Sequence, residues 1–398
     1  MGKLQEFYIV FDHPYAVYQA GEVLRGNVIV DLAEPMRMTN IRLWFFGRSK
    51  VHWSKKSHSS HRKQLTHYHG EEIYFDQSQL LFGRADGSEV LHPEGVHSYP
   101  FTLPLAESLP SSFEGKYGYV RYLCKATIEK PWKFDHDTKT AFTVLSQLDL
   151  NYEPSELRTP MQGEGSTELS CCCCVTGNVS ATFRINKRGF VPGERIIVSA
   201  HVHNGSNTTV SQTKVALKQY VEFSGSVENH AGSSPQKLKC ESEFVTSLER
   251  GQIAAGVTEI WDDVSLEVPA IPPSRLVGCD IINISYVVKF YVYVSYGEDL
   301  KLTCDVIIGT VPLNDVTSPS TSPCHVVISE QPAARRPTTI AVQNTLPPSY
   351  EEYIGGRVHI AEDYDTEYTR GQMQWAPSYP MFRRHASMEA LVDTCPPV

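Results

Sequence analysis

The sequence has little that would place the chain in a membrane or export it. Its 398 residues contain no run of about eighteen apolar residues, the length a membrane-spanning helix needs. The first residues, MGKLQEFYIV, lack a long apolar segment followed by a small-residue cleavage site, so we predict no secretory signal. A formal net charge of −9 argues against broad electrostatic attraction to nucleic acid. We therefore expect a cytoplasmic protein that does not bind nucleic acid.

Motifs that carry chemistry are also missing. The sequence has no Gly-rich phosphate loop ending in Gly-Lys-Ser/Thr, no His-Glu-x-x-His and no Gly-x-Ser-x-Gly. A histidine-rich stretch contains His58, His61, His67 and His69, but no Cys or carboxylate completes a metal site at ligand spacing. We therefore predict a protein that is not an enzyme and that holds no metal and no cofactor.

Helical periodicity over twelve or more residues is absent from the first 310 positions, whereas strand patterns are frequent. Short β-branched or aromatic segments are bounded by Gly, Pro or Asp, which is typical of strands. They are Phe7–Phe11, Gly26–Val30, Ile41–Phe45, Ile196–Ala200 and Cys304–Ile308. The sequence therefore predicts an all-β fold.

The chain repeats a pattern of its own. An aromatic residue followed by a Gly-Glu turn occurs at Tyr18-Gln19-Ala20-Gly21-Glu22 and again at Phe190-Val191-Pro192-Gly193-Glu194. Later in each half, Tyr122-Leu123-Cys124-Lys125-Ala126 matches Tyr286-Val287-Val288-Lys289-Phe290. Two matches in the same order and at similar offsets indicate two tandem immunoglobulin-type β-sandwiches rather than a solenoid of short repeats.

Shifts in composition give the predicted boundaries. We expect an N-terminal sandwich over residues 1–150, a linker over 151–176 that is rich in Pro, Gly, Ser and Glu, and a second sandwich over 177–312. After Pro312 the composition changes to Ser, Thr and Pro. We therefore predict that residues 313–398 form a disordered tail.

The tail contains a candidate docking motif of the PPxY type. Two prolines favour the polyproline II conformation, so little conformational entropy is lost on binding, and the tyrosine ring can fill a neighbouring pocket. WW domains bind peptides of this form. The sequence therefore predicts a WW-binding site at Pro347, Pro348, Ser349 and Tyr350, with an affinity in the micromolar range or weaker.

Two further candidate sites are weaker, because short patterns of this kind arise by chance. Four consecutive cysteines, Cys171, Cys172, Cys173 and Cys174, are candidates for S-acylation, which would help to hold a peripheral protein on a membrane. The alternative is a reduced, partly buried start of a strand. Tyr379 and Phe382 fit the Tyr-x-x-bulky-apolar pattern that clathrin adaptors bind.

Taken in order, these residues resemble the α-arrestins, the arrestin domain-containing proteins related to thioredoxin-interacting protein. The resemblance covers residues 1 to about 312 and resumes at the PPxY motif. Its carriers are Gly21-Glu22 with Gly26, Gly115-Lys116-Tyr117-Gly118, Val120-Arg121-Tyr122, Lys187-Arg188-Gly189-Phe190 with Gly193-Glu194, Trp261, Pro273-Ser274 with Gly278-Cys279, Tyr286, and Ile307-Ile308-Gly309.

The resemblance implies two arrestin-like sandwiches and an adaptor role. The folded part would hold a transmembrane receptor or transporter as cargo, and the tail would recruit a WW-domain HECT-type E3 ubiquitin ligase. Cargo ubiquitination, endocytosis and endosomal or lysosomal sorting would follow, with the protein peripheral at the plasma membrane and endosomes. The alternative is a structural endosomal scaffold of the retromer-like arrestin type that recruits no ligase.

Two departures from the family pattern bear on these expectations. Relatives usually carry a second PPxY motif, but its expected place here reads Ala376-Pro377-Ser378-Tyr379. We therefore expect ligase recruitment to depend on the motif at Tyr350 alone, or on dimerisation. The cysteine that thioredoxin-interacting protein uses towards thioredoxin would align near Thr258, and a hydroxyl group cannot form a mixed disulfide, which argues against a redox function.

Overall fold

The computed structural model describes residues 3–59, 62–171, 174–227, 235–295, 297–314, 356–362 and 365–382. Within these ranges strands dominate, and the single helical element is one 3-10 turn at Ser155–Arg158. The all-β, two-sandwich arrangement predicted from the sequence is confirmed. Each predicted strand segment lies in an observed strand, because its alternating apolar side chains can cover a core.

The first sandwich pairs a three-stranded sheet, in the order β1-β3-β8, with a larger sheet whose main order is β2-β11-β10-β5-β6. β9 adds to β10, and β4 pairs with β7 as a separate ribbon. The strands are β1 Leu4–Phe11, β2 Val17–Gln19, β3 Val23–Leu32, β4 Met36–Met38, β5 Asn40–Ser59, β6 Arg62–Gly83, β7 Val90–His92, β8 Gly95–Pro104, β9 Phe113–Gly115, β10 Gly118–Glu129 and β11 His136–Leu145.

The second sandwich pairs a four-stranded sheet, in the order β12-β13-β15-β18, with a five-stranded sheet in the order β14-β20-β19-β16-β17. Its strands are β12 Met161–Cys171, β13 Cys174–Ile185, β14 Gly189–Phe190, β15 Arg195–Asn204, β16 Val210–Gly225, β17 Lys237–Arg250, β18 Thr258–Glu267, β19 Ile282–Val294 and β20 Leu300–Ile308. Three short strands follow in the tail: β21 Val358–His359, β22 Thr369–Gly371 and β23 Gln374–Trp375.

The repeated Gly-Glu turn has the same geometry in both sandwiches. Gly21 has φ +89° and Gly193 has φ +91°, in the left-handed region that favours glycine. The following glutamate closes each turn: Glu22 accepts a hydrogen bond from the backbone N–H of Gln19 at 2.8 Å, and Glu194 accepts one from Val191 at 3.1 Å. The sequence repeat therefore corresponds to a structural repeat.

The second repeated motif places a buried tyrosine at equivalent positions. The hydroxyl of Tyr122 on β10 donates to the carbonyl oxygen of Pro110 at 2.7 Å, and that of Tyr286 on β19 donates to Pro272 at 2.8 Å. Both rings lie in the cores of their sandwiches, and both hydroxyls tie the core to the preceding loop. A buried hydroxyl needs such a partner, which explains the tyrosine in each copy.

The two sandwiches share a packed boundary. Phe223 of β16 contacts both Phe113 and Tyr117 of the first sandwich, with ring centroids 6.5 and 5.8 Å apart. The carboxylate of Glu72 on β6 accepts a hydrogen bond from the backbone N–H of Asp280 at 3.1 Å. These contacts hold the two sandwiches against each other.

Two predicted boundaries need correction. The linker predicted over 151–176 is wrong for Met161–Cys171, which forms β12 and pairs with β13. Its residues alternate between half-buried and exposed, but Gly163, Gly165 and the polar residues between them make the segment look like a loop in composition. The prediction of a disordered tail over 313–398 is wrong for residues 356–362 and 365–382, which pack on the first sandwich and, at Phe382, on the second.

Candidate functional site

The structure describes some of the residues that the sequence predicts as sites and leaves others outside its described ranges. Pro347, Pro348, Ser349 and Tyr350 lie outside the described residues, as do Cys172 and Cys173. Cys171 ends β12 and Cys174 begins β13. Tyr379 and Phe382 lie within the packed part of the tail, which we call the docked tail segment (residues 356–362 and 365–382). This segment and the surface beneath it form the best-described candidate functional site.

An apolar contact holds the docked tail segment on the outer face of the large sheet. Ile360 and Trp375 form a small buried cluster with Leu123 of β10 and Ala141 of β11. Leu123 retains 2% exposure although its neighbour Tyr122 already faces the core, so β10 is buried on both faces. One face of a sandwich sheet normally meets water. Apolar residues on both faces of β10 therefore indicate that another part of the chain covers its outer face.

Backbone pairing adds to this contact. β22 pairs in parallel with β11, with Asp137 opposite Thr369 and Lys139 opposite Gly371. Gly371 has φ +88°, and a Cβ atom there would lie 2.3 Å from the carbonyl oxygen of Lys139, so no larger residue fits. Beyond the turn, the backbone N–H of Gln372 donates to the same Lys139 carbonyl at 2.8 Å. The tail therefore pairs with the start of β11, whereas β2 pairs with its end at Thr143–Leu145.

Lys139 is buried beneath the tail and is neutralised by it. Only 1% of its side chain is exposed. Its ammonium group donates to the backbone carbonyl of Ile360 at 2.7 Å and forms a buried ion pair with Asp365. A buried lysine requires such partners, and both of them come from the tail.

A second buried charge cluster lies at the start of the docked tail segment. Arg121 binds Glu114 with two hydrogen bonds of 2.7 and 2.9 Å and also contacts Glu362 at 3.3 Å. Arg48 lies 3.1 Å from the other oxygen of Glu362. Burial raises the pKa of Glu114, while the hydrogen bonds and charge of Arg121 oppose this rise. Glu362 thus joins two arginines of adjacent strands, β5 and β10.

The last part of the docked tail segment reaches the second sandwich. Tyr379 is 1% exposed, and its hydroxyl donates to the backbone carbonyl of Ser112 at 2.7 Å. The backbone N–H of Phe382 donates to the carbonyl of Pro192, in the repeated turn of the second sandwich. Clathrin adaptors bind the tyrosine of their motif in a pocket of their own, so Tyr379 is inaccessible to them in this conformation. The same burial removes Ala376-Pro377-Ser378-Tyr379 as an exposed docking peptide.

A cavity of about 240 Å³ lies where the tail meets both sandwiches. Its walls include Phe113, Glu114 and Lys116 from the first sandwich, Gln219, Val221 and Glu241 from the second, and Val358 from the tail. Within the described ranges, no cluster of His, Cys, Asp or Glu has the arrangement of a metal site. The described part of the chain also has no helix that is long and apolar enough to cross a membrane. The site holds the tail by strand pairing, apolar packing and buried ion pairs.

Comparison with known proteins gives consistent matches along both sandwiches. The family model for the arrestin (or S-antigen) N-terminal domain matches residues 7–151, and that for the arrestin C-terminal domain matches residues 175–313. Arrestin domain-containing protein 17 of Caenorhabditis elegans is 33% identical over 317 residues, which are 78% of this chain and 72% of the relative.

Two further relatives extend this similarity. Human thioredoxin-interacting protein is 28% identical over 363 residues, covering 85% of this chain and 88% of the relative. Mouse arrestin domain-containing protein 4 is 28% identical over 317 residues, covering 78% of this chain and 73% of the relative. The match to thioredoxin-interacting protein is long enough to include part of the tail.

Proposed function

Because the chain belongs to the arrestin family, among its arrestin domain-containing members (the α-arrestins), we propose that it is a non-enzymatic trafficking adaptor. It links a transmembrane receptor or transporter to a WW-domain HECT-type E3 ubiquitin ligase. Ubiquitination of the cargo then promotes its endocytosis and its sorting to endosomes and lysosomes. The adaptor acts from the cytoplasm, at the surface of the plasma membrane and of endosomes.

The observation that carries this proposal is the position of the PPxY sequence between two tethered parts of the chain. Residue 314 ends the described part of the second sandwich, and Gly356 begins the docked tail segment. Tyr350 precedes Gly356 by six positions, and six residues span at most about 20 Å. A tether this short raises the local concentration of a bound ligase beside the sandwiches that hold the cargo.

Substitution of the motif tyrosine tests ligase recruitment. We expect Tyr350→Ala to abolish co-precipitation with WW-domain ligases, because the ring that fills the WW pocket is lost. Thermal stability should stay unchanged. Tyr353→Ala is the matched control, since it removes the same side chain three positions outside the motif. Equal ligase binding by wild type and Tyr350→Ala would show that the recruitment proposal is wrong.

A structural scaffold without ligase recruitment gives a different result. Deleting the whole tail is a poor test, because it would uncover Leu123 and leave Lys139 without its buried partners. Replacing Pro347, Pro348 and Tyr350 with alanine leaves the docked tail segment in place. An adaptor then loses cargo ubiquitination, whereas a scaffold retains both its endosomal location and its function.

A further inference from the structure

The loop between β10 and β11 exposes two large aromatic side chains. β10 ends at Glu129 and β11 begins at His136, and the loop between them reads Lys-Pro-Trp-Lys-Phe-Asp. Trp132 is 100% exposed and Phe134 is 70% exposed. Scattered apolar residues are common on protein surfaces, but a fully exposed tryptophan beside an exposed phenylalanine on one loop indicates an interaction surface.

Contacts within the folded protein hold this loop in shape. The backbone N–H of Lys130 donates to the carboxylate of Asp135 at 2.9 Å and closes the loop at its base. Tyr368 of the docked tail segment stacks on Phe134, with ring centroids 4.8 Å apart and 24° between the planes. Trp132 has φ +58°, an uncommon conformation for a bulky residue. The tryptophan is therefore held outward by a defined turn.

Cationic groups surround the two aromatic rings. Lys130 and Lys133 flank Trp132 in the sequence, and Arg370 of β22 acts electrostatically on His136 at the base of the loop. Two carboxylates lie nearby, and each has a hydrogen-bond partner. Asp135 accepts from the backbone N–H of Lys130, and Glu367 is hydrogen-bonded to the hydroxyl of Tyr368. An open cavity of about 650 Å³ lies between these side chains, lined by Lys130, Trp132, Lys133, Phe134, His136 and Tyr368.

We propose that the β10–β11 loop is a contact site for an anionic phospholipid surface. Trp132 and Phe134 enter the interfacial layer, where aromatic rings are favoured, and the exposed Lys133 lies at the level of the phosphate groups. The amine of Lys130 is bonded to Nε2 of His136 at 3.0 Å and helps to hold the base of the loop. The loop between β10 and β11 is only six residues long, and its two exposed rings lie two positions apart. A stable protein interface buries about 800 Å² on each partner, which is more than two rings on a tip provide, whereas a lipid surface receives such a tip without a matching pocket.

Tryptophan fluorescence tests this contact directly, because Trp132 is the exposed member of five tryptophans, all of which are described. The others are half-buried or buried: Trp44, Trp53, Trp261 and Trp375. Vesicles of phosphatidylcholine with about one third phosphatidylserine should shift the emission of the full-length protein to shorter wavelength. Brominated lipid in those vesicles should quench it. Neither change should occur in Trp132→Ala.

Vesicle co-sedimentation measures the contributions of ring and charge separately. Trp132→Ala should lower the partition coefficient about tenfold, the effect of one large apolar side chain that no longer enters the interface. Lys133→Gln should lower it about fivefold, the effect of one cation near an anionic surface. Tyr152→Ala is the matched control, because Tyr152 is 90% exposed and lies outside this loop. All three variants should melt like wild type.

The proposal is independent of ligase recruitment, so Tyr350→Ala should bind vesicles like wild type. The proposal is overturned if wild type does not bind anionic vesicles, if it binds pure phosphatidylcholine equally well, or if Trp132→Ala and Tyr152→Ala lose binding equally. Emission that stays unchanged while wild type sediments with the vesicles would also overturn it, since another surface would then make the contact.

Discussion

The guanidinium group of Arg121 lies 3.3 Å from the carboxylate of Glu362, a residue 241 positions later in the chain. Both side chains are almost fully buried, with 6% and 4% exposure. Arg121 also binds Glu114, and Glu362 also contacts Arg48. The first ion contacts of the docked tail segment are therefore made in a region that excludes water, where an unpaired charge is costly.

Removing the tail carboxylate should loosen the docked tail segment. We expect Glu362→Ala to weaken docking by about 1–3 kcal/mol, because Arg121 and Arg48 then both lose a buried carboxylate partner. Hydrogen exchange of the β22 amides, which pair with β11, should become faster while exchange in the sandwich cores stays unchanged.

Glu367→Ala is the control for that experiment, since it removes an exposed carboxylate from the same segment. It should leave exchange in β22 at the wild-type rate. If the β22 amides exchange at the same rate in Glu362→Ala and Glu367→Ala, the buried ion contacts do not stabilise the docked tail.

Tyr379 should contribute to stability through both its ring and its hydroxyl group. Tyr379→Phe loses the hydrogen bond to Ser112 and should destabilise the fold by about 1 kcal/mol. Tyr379→Ala also leaves a cavity and should cost about 3–5 kcal/mol. Thermal melting checks both values, with Tyr152→Ala as an exposed control expected within about 0.5 kcal/mol of wild type. A Tyr379→Ala protein that melts like wild type would mean that the ring is not packed in solution.

Much of the fold was predictable from local sequence. Alternating apolar residues in β3 and β15 bury one face and expose the other, which is the period-two pattern from which strands are inferred. The two Gly-Glu turns were also recognisable, because a left-handed glycine followed by a carboxylate is a short-range requirement of the turn itself. Such features need no knowledge of distant residues.

The docked tail segment was not predictable in this way. β21, β22 and β23 are two or three residues long, and none has enough internal pattern to indicate a strand. β22 pairs with β11, and β21 pairs with β23 in a ribbon that packs on Leu123, so all three strands depend on residues far away in the chain. The available signals were indirect: Leu123 on the outer face of β10, and the large aromatic residues Trp375 and Tyr379 in the tail. They show that something is covered without showing by what.

The hydroxyl groups of Tyr122 and Tyr286 should contribute different amounts to the free energy of unfolding. Tyr122→Phe removes one hydrogen bond, to Pro110, and should cost about 1 kcal/mol. Tyr286→Phe removes the bond to Pro272 and also leaves buried Gln219 without the hydroxyl to which it donates at 2.7 Å. We therefore expect a loss of about 2–3 kcal/mol. Denaturant titration measures both values, and equal losses would contradict this difference between the two sandwiches.

Mild acid should destabilise the first sandwich through His92. Burial, followed by the charge of neighbouring His97, lowers the pKa of His92 below its ordinary value of 6.5, while a bond to the carbonyl of Pro93 opposes the shift. Its other ring nitrogen contacts the hydroxyl of Tyr99. Between the lowered pKa of folded His92 and its ordinary value of 6.5, the unfolded chain therefore binds a proton at His92 more readily than the folded chain does. The stability due to neutral His92 is present above pH 6.5 and is lost as the pH falls below it.

Melting temperatures at pH 7.5 and pH 5.5 test this dependence. Wild type should melt at a lower temperature at pH 5.5, and the decrease should be smaller in His92→Gln, because that side chain does not titrate. His203→Gln is the control, since His203 is exposed on β15 and has the hydroxyl of Thr258 as a hydrogen-bond partner. His92→Gln removes the imidazole whose pKa differs between the folded and unfolded chain. An equal decrease in wild type and His92→Gln would therefore mean that other groups cause the acid sensitivity.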